Sequence, residues 1–362
     1  MKSVESLFCP MVKSMQPYTP IEPPDQIAKR LGIAEADIIK LDANENPYGT
    51  PDFVLDKLSS GKYYHIYPDP AQTKLRQAIA DYAGVEAKNI IAGTGADELI
   101  DLICRLTIEP GDQVLDCNPT FGYYRHIVEV NRGETVAFDR EPDFSLDLLK
   151  LKSLDLSKVK LVFLCSPNNP SGNLIDAEVL KWFLSQDIMV VLDEAYFEFS
   201  GETHVDWVQE HSNLLVLRTF SKCFALAGFR VGYGVMSEEI ADGMMKIKPP
   251  YSVSVPAEIA LITCLENLGY FKAQVGQLIQ TCQNTFDQLK EFKQLTPYPS
   301  RSNFILAKVD HFSALELTKS LEQKGILVRY FNTPRLQGYI RVSMGTPDQM
   351  KRLFEALKEI LP

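Results

Sequence analysis

Lys222 and Arg230 stand in LRTFSKCFALAGFRVGYG, residues 217–234, among neighbours that are otherwise apolar, hydroxylic or small. A lysine is ordinarily a solvated surface group. In such company it is a candidate amine nucleophile or base, because burial and a nearby cation disfavour its charged form. Thr219 and Ser221 add hydroxyls beside it. Asp193 and Tyr196 follow the apolar run DIMVVL. A carboxylate that ends a buried strand must meet a cation or several donors, and a helix cap or a structural ion pair would serve as well. SPNNPSG, residues 166–172, follows KVKLVFLC. Its Asn, Pro and Gly suit a loop for backbone reasons, and equally an amide held by prolines and aimed at a ligand. GTGADE, residues 93–98, reads as a glycine turn opening a helix. The free N–H groups of such a helix favour an anion, most naturally a phosphate. A plain turn with favourable first-turn acids has the same sequence.

These candidates share a position: each follows an apolar run. NIIAGTG, QVLDC, KVKLVFLC, DIMVVLD and NLLVLRT are apolar almost throughout, as strands buried on both faces must be. ADELIDLICRL between the first two puts Leu99, Leu102, Ile103 and Leu106 on one helical face. Alternation of such runs with helical periods predicts an α/β fold, and ligands in open α/β sheets sit beyond the carboxyl ends of the strands. After KPPYS the helical segments lengthen, and NFILAKV, GILVRYF and GYIRVSMG are strand-like. The expectation is a large domain with a mainly parallel, seven-stranded-type sheet between helices, a smaller α+β domain and an N-terminal arm. The boundaries read as 1–58 for the arm with part of the small domain, 59–250 for the large domain and 251–362 for the small one. The Pro-rich first forty residues predict an extended arm and a short helix.

The bulk numbers bound the rest. The chain has 362 residues and a net charge of −10, which argues against a general nucleic-acid binder. Seven cysteines without a CxxC pair read as free thiols of a reducing compartment and make zinc improbable. The N-terminus lacks the continuous apolar run of a signal peptide, and no stretch is long and apolar enough to span a bilayer. The expectation is a cytoplasmic protein with no membrane partner and no metal.

One ligand asks for an amine, a carboxylate with a phenol, an amide and an anion pocket together. Pyridoxal phosphate has an aldehyde for the lysine to hold as a Schiff base, a ring nitrogen for the acid, a phenolic oxygen and a phosphate.

KLDANENPYG, YPDP, GTGADELIDLICR, NPTFGYY, SPNNPSG, VVLDEAY, RTFSKCFALAGFRVGYG, SNFIL and IRVSMG occur in this order over roughly residues 40 to 346. This set resembles the fold-type I, class I/II aminotransferases and, within them, the histidinol-phosphate branch. The resemblance implies that Lys222 holds the cofactor aldehyde and, once freed, acts as base. It implies that Asp193 faces the pyridinium nitrogen and that Tyr196 and Asn169 bond the ring oxygen. Ala96 and Asp97, through their backbone amides, would hold the phosphate with Thr219, Ser221 and Arg230. Phe121 would stack on the ring, with no hydroxyl where many relatives have tyrosine. Tyr67 would reach the cofactor phosphate of a partner subunit, making a homodimer with shared sites. Arg341 resembles the superfamily's carboxylate-binding arginine. Arg329 and Tyr18 resemble extra phosphate contacts, and Asn44 belongs near the same substrate end. A surface salt bridge is the ordinary alternative for Arg329. The implied reaction joins histidinol phosphate, a phosphorylated amino alcohol, and 2-oxoglutarate to imidazole-acetol phosphate and glutamate, in histidine biosynthesis. An aromatic amino acid aminotransferase and a threonine-phosphate decarboxylase share the motifs. An aminotransferase-like transcription regulator fits less well, because only about forty residues, not basic, precede DANENP.

Overall fold

The computed structural model describes residues 3–15 and 22–361. Its strands are β1 (Ile39–Leu41), β2 (Ile90–Gly93), β3 (Gln113–Asn118), β4 (Glu134–Asp139), β5 (Val159–Cys165), β6 (Met189–Asp193), β7 (Leu214–Thr219), β8 (Gly232–Val235), β9 (Leu295–Pro297), β10 (Phe304–Val309), β11 (Ile326–Tyr330) and β12 (Tyr339–Ser343). Seven of them form a sheet in the order β2-β8-β7-β6-β5-β3-β4. All its pairings are parallel except those of β8, which runs against both β7 and β2. A second sheet has the order β1-β11-β12-β10-β9. It is antiparallel apart from the β1–β11 pair.

The apolar runs explain the first sheet. Successive side chains of a strand point to opposite faces. Leu115, Val162, Leu164, Val190, Leu192 and Val216 accordingly lie in one core cluster, and their neighbours Val114, Leu161, Phe163, Val191, Leu215 and Leu217 in another. Each such side chain, fully buried, contributes about 1.5–3 kcal/mol. The helix Gly95–Thr107 lies on the second cluster through Leu99, Leu102 and Ile103, with Leu106 packed beside them.

The fold class is the expected one, and four strands lie outside the quoted runs. β4 sits at the sheet's edge and is largely solvent-facing, so it lacks the apolar run that marked its neighbours. β8, with sequence GYGV, is half glycine. β1 and β9 are only three residues long. The arm also differs from the extended reading. It carries a 3₁₀ turn, Val4–Leu7, and a short helix, Pro10–Ser14, before the helix Pro24–Leu31. Both helices open on proline, whose missing N–H costs nothing at a helix start. Among the described residues no helix is long and apolar enough to cross a membrane, and all seven cysteines are free.

Candidate active site

Register brings the candidate loops to one edge. Cys165 of β5 lies beside Asp193 of β6, which lies beside Leu217 of β7, all in parallel pairs. The segments that follow, with Asn169, Tyr196 and Lys222, therefore leave the sheet together. β2 runs in the same direction as β7, because both are antiparallel to β8, so GTGADE opens onto the same edge.

Asp193 is 4% exposed. One of its oxygens, Oδ2, accepts from the Tyr124 hydroxyl, and Oδ1 accepts from the Ala195 N–H at 3.0 Å. Burial pushes its carboxyl up to about 6; the Tyr124 and Ala195 donors oppose this, and the charges of Asp97 and Glu194 add to it. Among the described residues no cation forms an ion pair with it. The next residue, Glu194, takes one instead, with Arg218 at 2.8 Å.

Lys222 is half-buried, and its Nζ donates to the Ala43 carbonyl at 3.1 Å. Burial first, then the charge of Arg341, lowers its ammonium to about 8, with a smaller contribution from Arg230. The sequence reading named Arg230 as the neighbouring cation; Arg341 acts more strongly. Arg341 donates to Asn169 Oδ1 and to the Asp42 carbonyl, both at 2.6 Å. Its guanidinium stands 5.3 Å from the Phe304 ring centre. Asn44, at φ 55°, donates to the Tyr196 hydroxyl at 2.9 Å and accepts from Ser343 at 2.8 Å. Burial pushes the Tyr196 phenol up, so it stays protonated. Asn303 donates to the Asn44 carbonyl at 3.0 Å. Three successive carbonyls, of Asp42, Ala43 and Asn44, thus receive Arg341, Lys222 and Asn303.

The start of the helix Gly95–Thr107 is packed around two glycines. Gly95 has φ +77°, a left-handed conformation natural to glycine, and a Cβ there would come within 2.5 Å of Arg230 Nη2. A Cβ on Gly232 would come within 2.6 Å of the Ala96 nitrogen. Thr94 places no side-chain cap on the helix Gly95–Thr107. Arg230, itself at φ 52°, pairs with Asp97 at 2.8 Å. Both side chains are over 40% exposed, so this pair adds little stability. The Thr219 hydroxyl donates to Ser221 Oγ at 3.0 Å and accepts from the Ser221 N–H at 3.1 Å.

The family model for aminotransferase class I and II matches residues 36–357. The chain belongs to the class I and II aminotransferases. The chloroplastic histidinol-phosphate aminotransferase of Nicotiana plumbaginifolia is 46% identical over 357 residues, covering 98% of this chain and 86% of that one. The histidinol-phosphate aminotransferase of Dehalococcoides mccartyi strain BAV1 is 41% identical over 323 residues, covering 89% and 90%. A solved structure of the Sinorhizobium meliloti histidinol-phosphate aminotransferase, in complex with pyridoxal-5'-phosphate, superposes with a TM-score of 0.89 at 27% identity, covering 98% of each chain.

Within this aminotransferase fold, Phe121 is half-buried and stands edge-on to Tyr124 at 5.4 Å. Tyr67 is 77% exposed and stacks on Tyr251 at 4.6 Å. Arg329 lies directly opposite Arg341 across β11 and β12. No carboxylate pairs with it among the described residues; its guanidinium is 5.8 Å from the Phe331 ring, and it lines a cavity of about 190 Å³ with Asp42 and Tyr330. Tyr18 lies outside the described residues. Sequence reasoning missed Tyr124, Ser343 and Asn303. The inward spacing of Tyr124, Ile127 and Val128 could have revealed the first. Ser343 could have been found two residues after Arg341, on the same face of β12.

Proposed function

We propose that this aminotransferase moves the amino group between histidinol phosphate and 2-oxoglutarate, with pyridoxal phosphate as its cofactor. The observation that carries the reading is the buried Asp193, without a cation partner among the described residues, on the same sheet edge as a lysine whose ammonium is lowered to about 8. That pair fits a group bearing a cationic nitrogen and an aldehyde. The close approach of Arg230 to Gly95 and of the helix start to Gly232, which a side chain at either glycine would prevent, suits a phosphate held by Arg230 and the free N–H groups of that helix. Lys222 would hold the aldehyde and Asp193 the ring nitrogen. Tyr196 and Asn169 would bond the ring oxygen. Ala96, Asp97, Thr219, Ser221 and Arg230 would hold the phosphate, and Phe121 would cover a ring face.

When bound, the group supplies a conjugated cationic ring that accepts an electron pair from the substrate's amine-bearing carbon. Burial and the charge of Arg341 lower the Lys222 ammonium to about 8, so its free amine can take a proton from that carbon and return it on the other side of the reaction. Asp193 keeps a negative charge opposite the ring nitrogen. Tyr196 receives the Asn44 amide on its oxygen and keeps its own O–H to donate. Asn169 spends its carbonyl oxygen on Arg341, which leaves its NH₂ free to turn toward the ring oxygen.

Arg341 and Arg329 suit the anionic ends of the substrates. Like charges directly opposite on paired strands repel, and an anion between them relieves that. Planar guanidinium groups bind carboxylate or phosphate in a two-pronged manner. Arg341 would take glutamate's carboxylate in one half-reaction and the substrate phosphate in the other, with Arg329 and Tyr18 helping in the second. The choice of histidinol phosphate over an aromatic amino acid or threonine phosphate rests on the curated relatives named for it at 46% and 41% identity.

The same reading makes the enzyme a homodimer, with Tyr67 serving the partner's site. Its support is an exposed surface of Tyr63, Ile66, Tyr67 and Tyr251 that a second copy would cover. The division at 59–250 and 251–362 separates a cofactor-holding unit from one that brings Arg329 and Arg341. The free thiols fit a cytoplasmic setting. A product assay tests the activity. Purified protein should consume histidinol phosphate only with 2-oxoglutarate present and form glutamate. Release of CO₂ from threonine phosphate, with no glutamate formed, would overturn the reading.

A further inference from the structure

We infer that Tyr124 is a positioning residue: its hydroxyl holds the Asp193 carboxylate in its charged form and fixes the plane in which it meets the ligand. The inference rests on the cofactor reading above. Tyr124 is 1% exposed, in the first turn of the helix Tyr123–Val130. Its ring lies flat on Phe163 of β5, with centroids 4.6 Å apart and planes 6° from parallel. Phe121 closes on it edgewise at 87°. Two rings therefore lock the direction of one hydroxyl.

That hydroxyl takes one oxygen of Asp193 and the Ala195 N–H takes the other, so the carboxylate cannot turn. A phenol that donates to a carboxylate favours its ionised form. The phenol keeps its proton, because burial and the Asp193 charge both push its own ionisation well above the usual range. The other groups around Asp193 do not replace it. Cys165 is a neighbouring thiol on β5, Asp97 and Glu194 are negative, and Tyr196 is a second phenol whose oxygen accepts from the Asn44 amide and which makes no hydrogen bond to Asp193. Arg218 on β7 is taken by Glu194, and Lys222 donates to Ala43. The turn PTFGYY thereby supplies both the ring that would cover the cofactor and the donor that would keep its acid charged.

The test is the pH dependence of cofactor affinity, read by titrating apoenzyme with pyridoxal phosphate. In the natural protein, affinity should fall as pH drops through about 6, where Asp193 gains a proton. In Tyr124→Phe that fall should begin about one to two pH units higher, the loss of a hydrogen bond to a charged group. The phosphate's own titration is common to both proteins and cancels. Phe163→Leu loosens the packing and keeps the hydroxyl, so it should lower the melting temperature and leave the pH of the fall in place. If Tyr124→Phe does not fold, 3-fluorotyrosine at position 124 alone, a stronger donor of the same shape, should move the fall to lower pH. A fall at unchanged pH in a folded Tyr124→Phe or in the fluorinated protein overturns the inference. Failure of the natural apoenzyme to bind pyridoxal phosphate at all would instead overturn the cofactor reading.

Discussion

Replacing Arg218 with methionine should destabilise the apoprotein by about 3–5 kcal/mol, the range for breaking one partner out of a buried ion pair. Arg218 and Glu194 have side chains 3% and 1% exposed. Glu194 Oε2 accepts from Arg218 Nε at 3.0 Å and Nη2 at 2.8 Å, and from Thr203 at 2.7 Å. Oε1 accepts from the His204 N–H at 2.7 Å. Methionine fills much of the volume and returns none of the charge. Glu194 would keep two neutral donors and an uncompensated charge, and the Tyr233 hydroxyl would lose its arginine donor. The guanidinium 3.6 Å from the Phe197 ring centre adds a further attraction of about 0.5–2 kcal/mol to the loss. Urea unfolding of the apoprotein measures the change. Removing the charge too, as Arg218→Met with Glu194→Gln, should recover most of the loss. A single variant within about 1 kcal/mol of the natural protein, or a double variant no better than the single, would refute the argument, since the cost is assigned to the stranded charge.

Asp193→Asn should still bind pyridoxal phosphate but slow turnover by orders of magnitude, checked by spectral titration and steady-state rates; near-normal rates would count against its role. Arg341→Gln removes the strongest neighbouring cation from Lys222, so the lysine should titrate above about 8. The pH profile of Lys222 acylation in the apoenzyme should move to higher pH, and an unmoved profile would refute the placing of Arg341 ahead of Arg230 among the neighbouring cations. Gly232→Ala sets a methyl 2.6 Å from the Ala96 nitrogen, which should displace the helix start and weaken cofactor affinity about tenfold or more while far-UV circular dichroism is preserved.

Much of this arrangement was legible because burial on both faces leaves an apolar run, and the residues after such a run are easily singled out. Lys222, Asp193 and Asn169 were singled out in this way, and the register places the segments that carry them at one sheet edge. β4 and β8 were not, since a solvent-facing edge strand and a half-glycine strand carry no such run. The facing of Arg329 and Arg341 depends on the register between β11 and β12, which no local pattern contains. Tyr124 was hidden for another reason. NPTFGYY offers three aromatic rings, and only the helix geometry decides which one turns inward to Asp193. Backbone acceptors are quieter still, because a carbonyl is the same at every position.

That last point bears on DANENP. The carbonyls of Asp42, Ala43 and Asn44 each take a different donor, drawn from β12, from the loop after β7 and from the residue before β10. Spacing along the chain, rather than side-chain identity, assigns Lys222 to the middle one. Position 43 should therefore accept other small residues. Deleting a single residue there would offer each donor its neighbour's acceptor and pull Lys222 and Arg341 out of alignment together. The segment works as a ruler for the site.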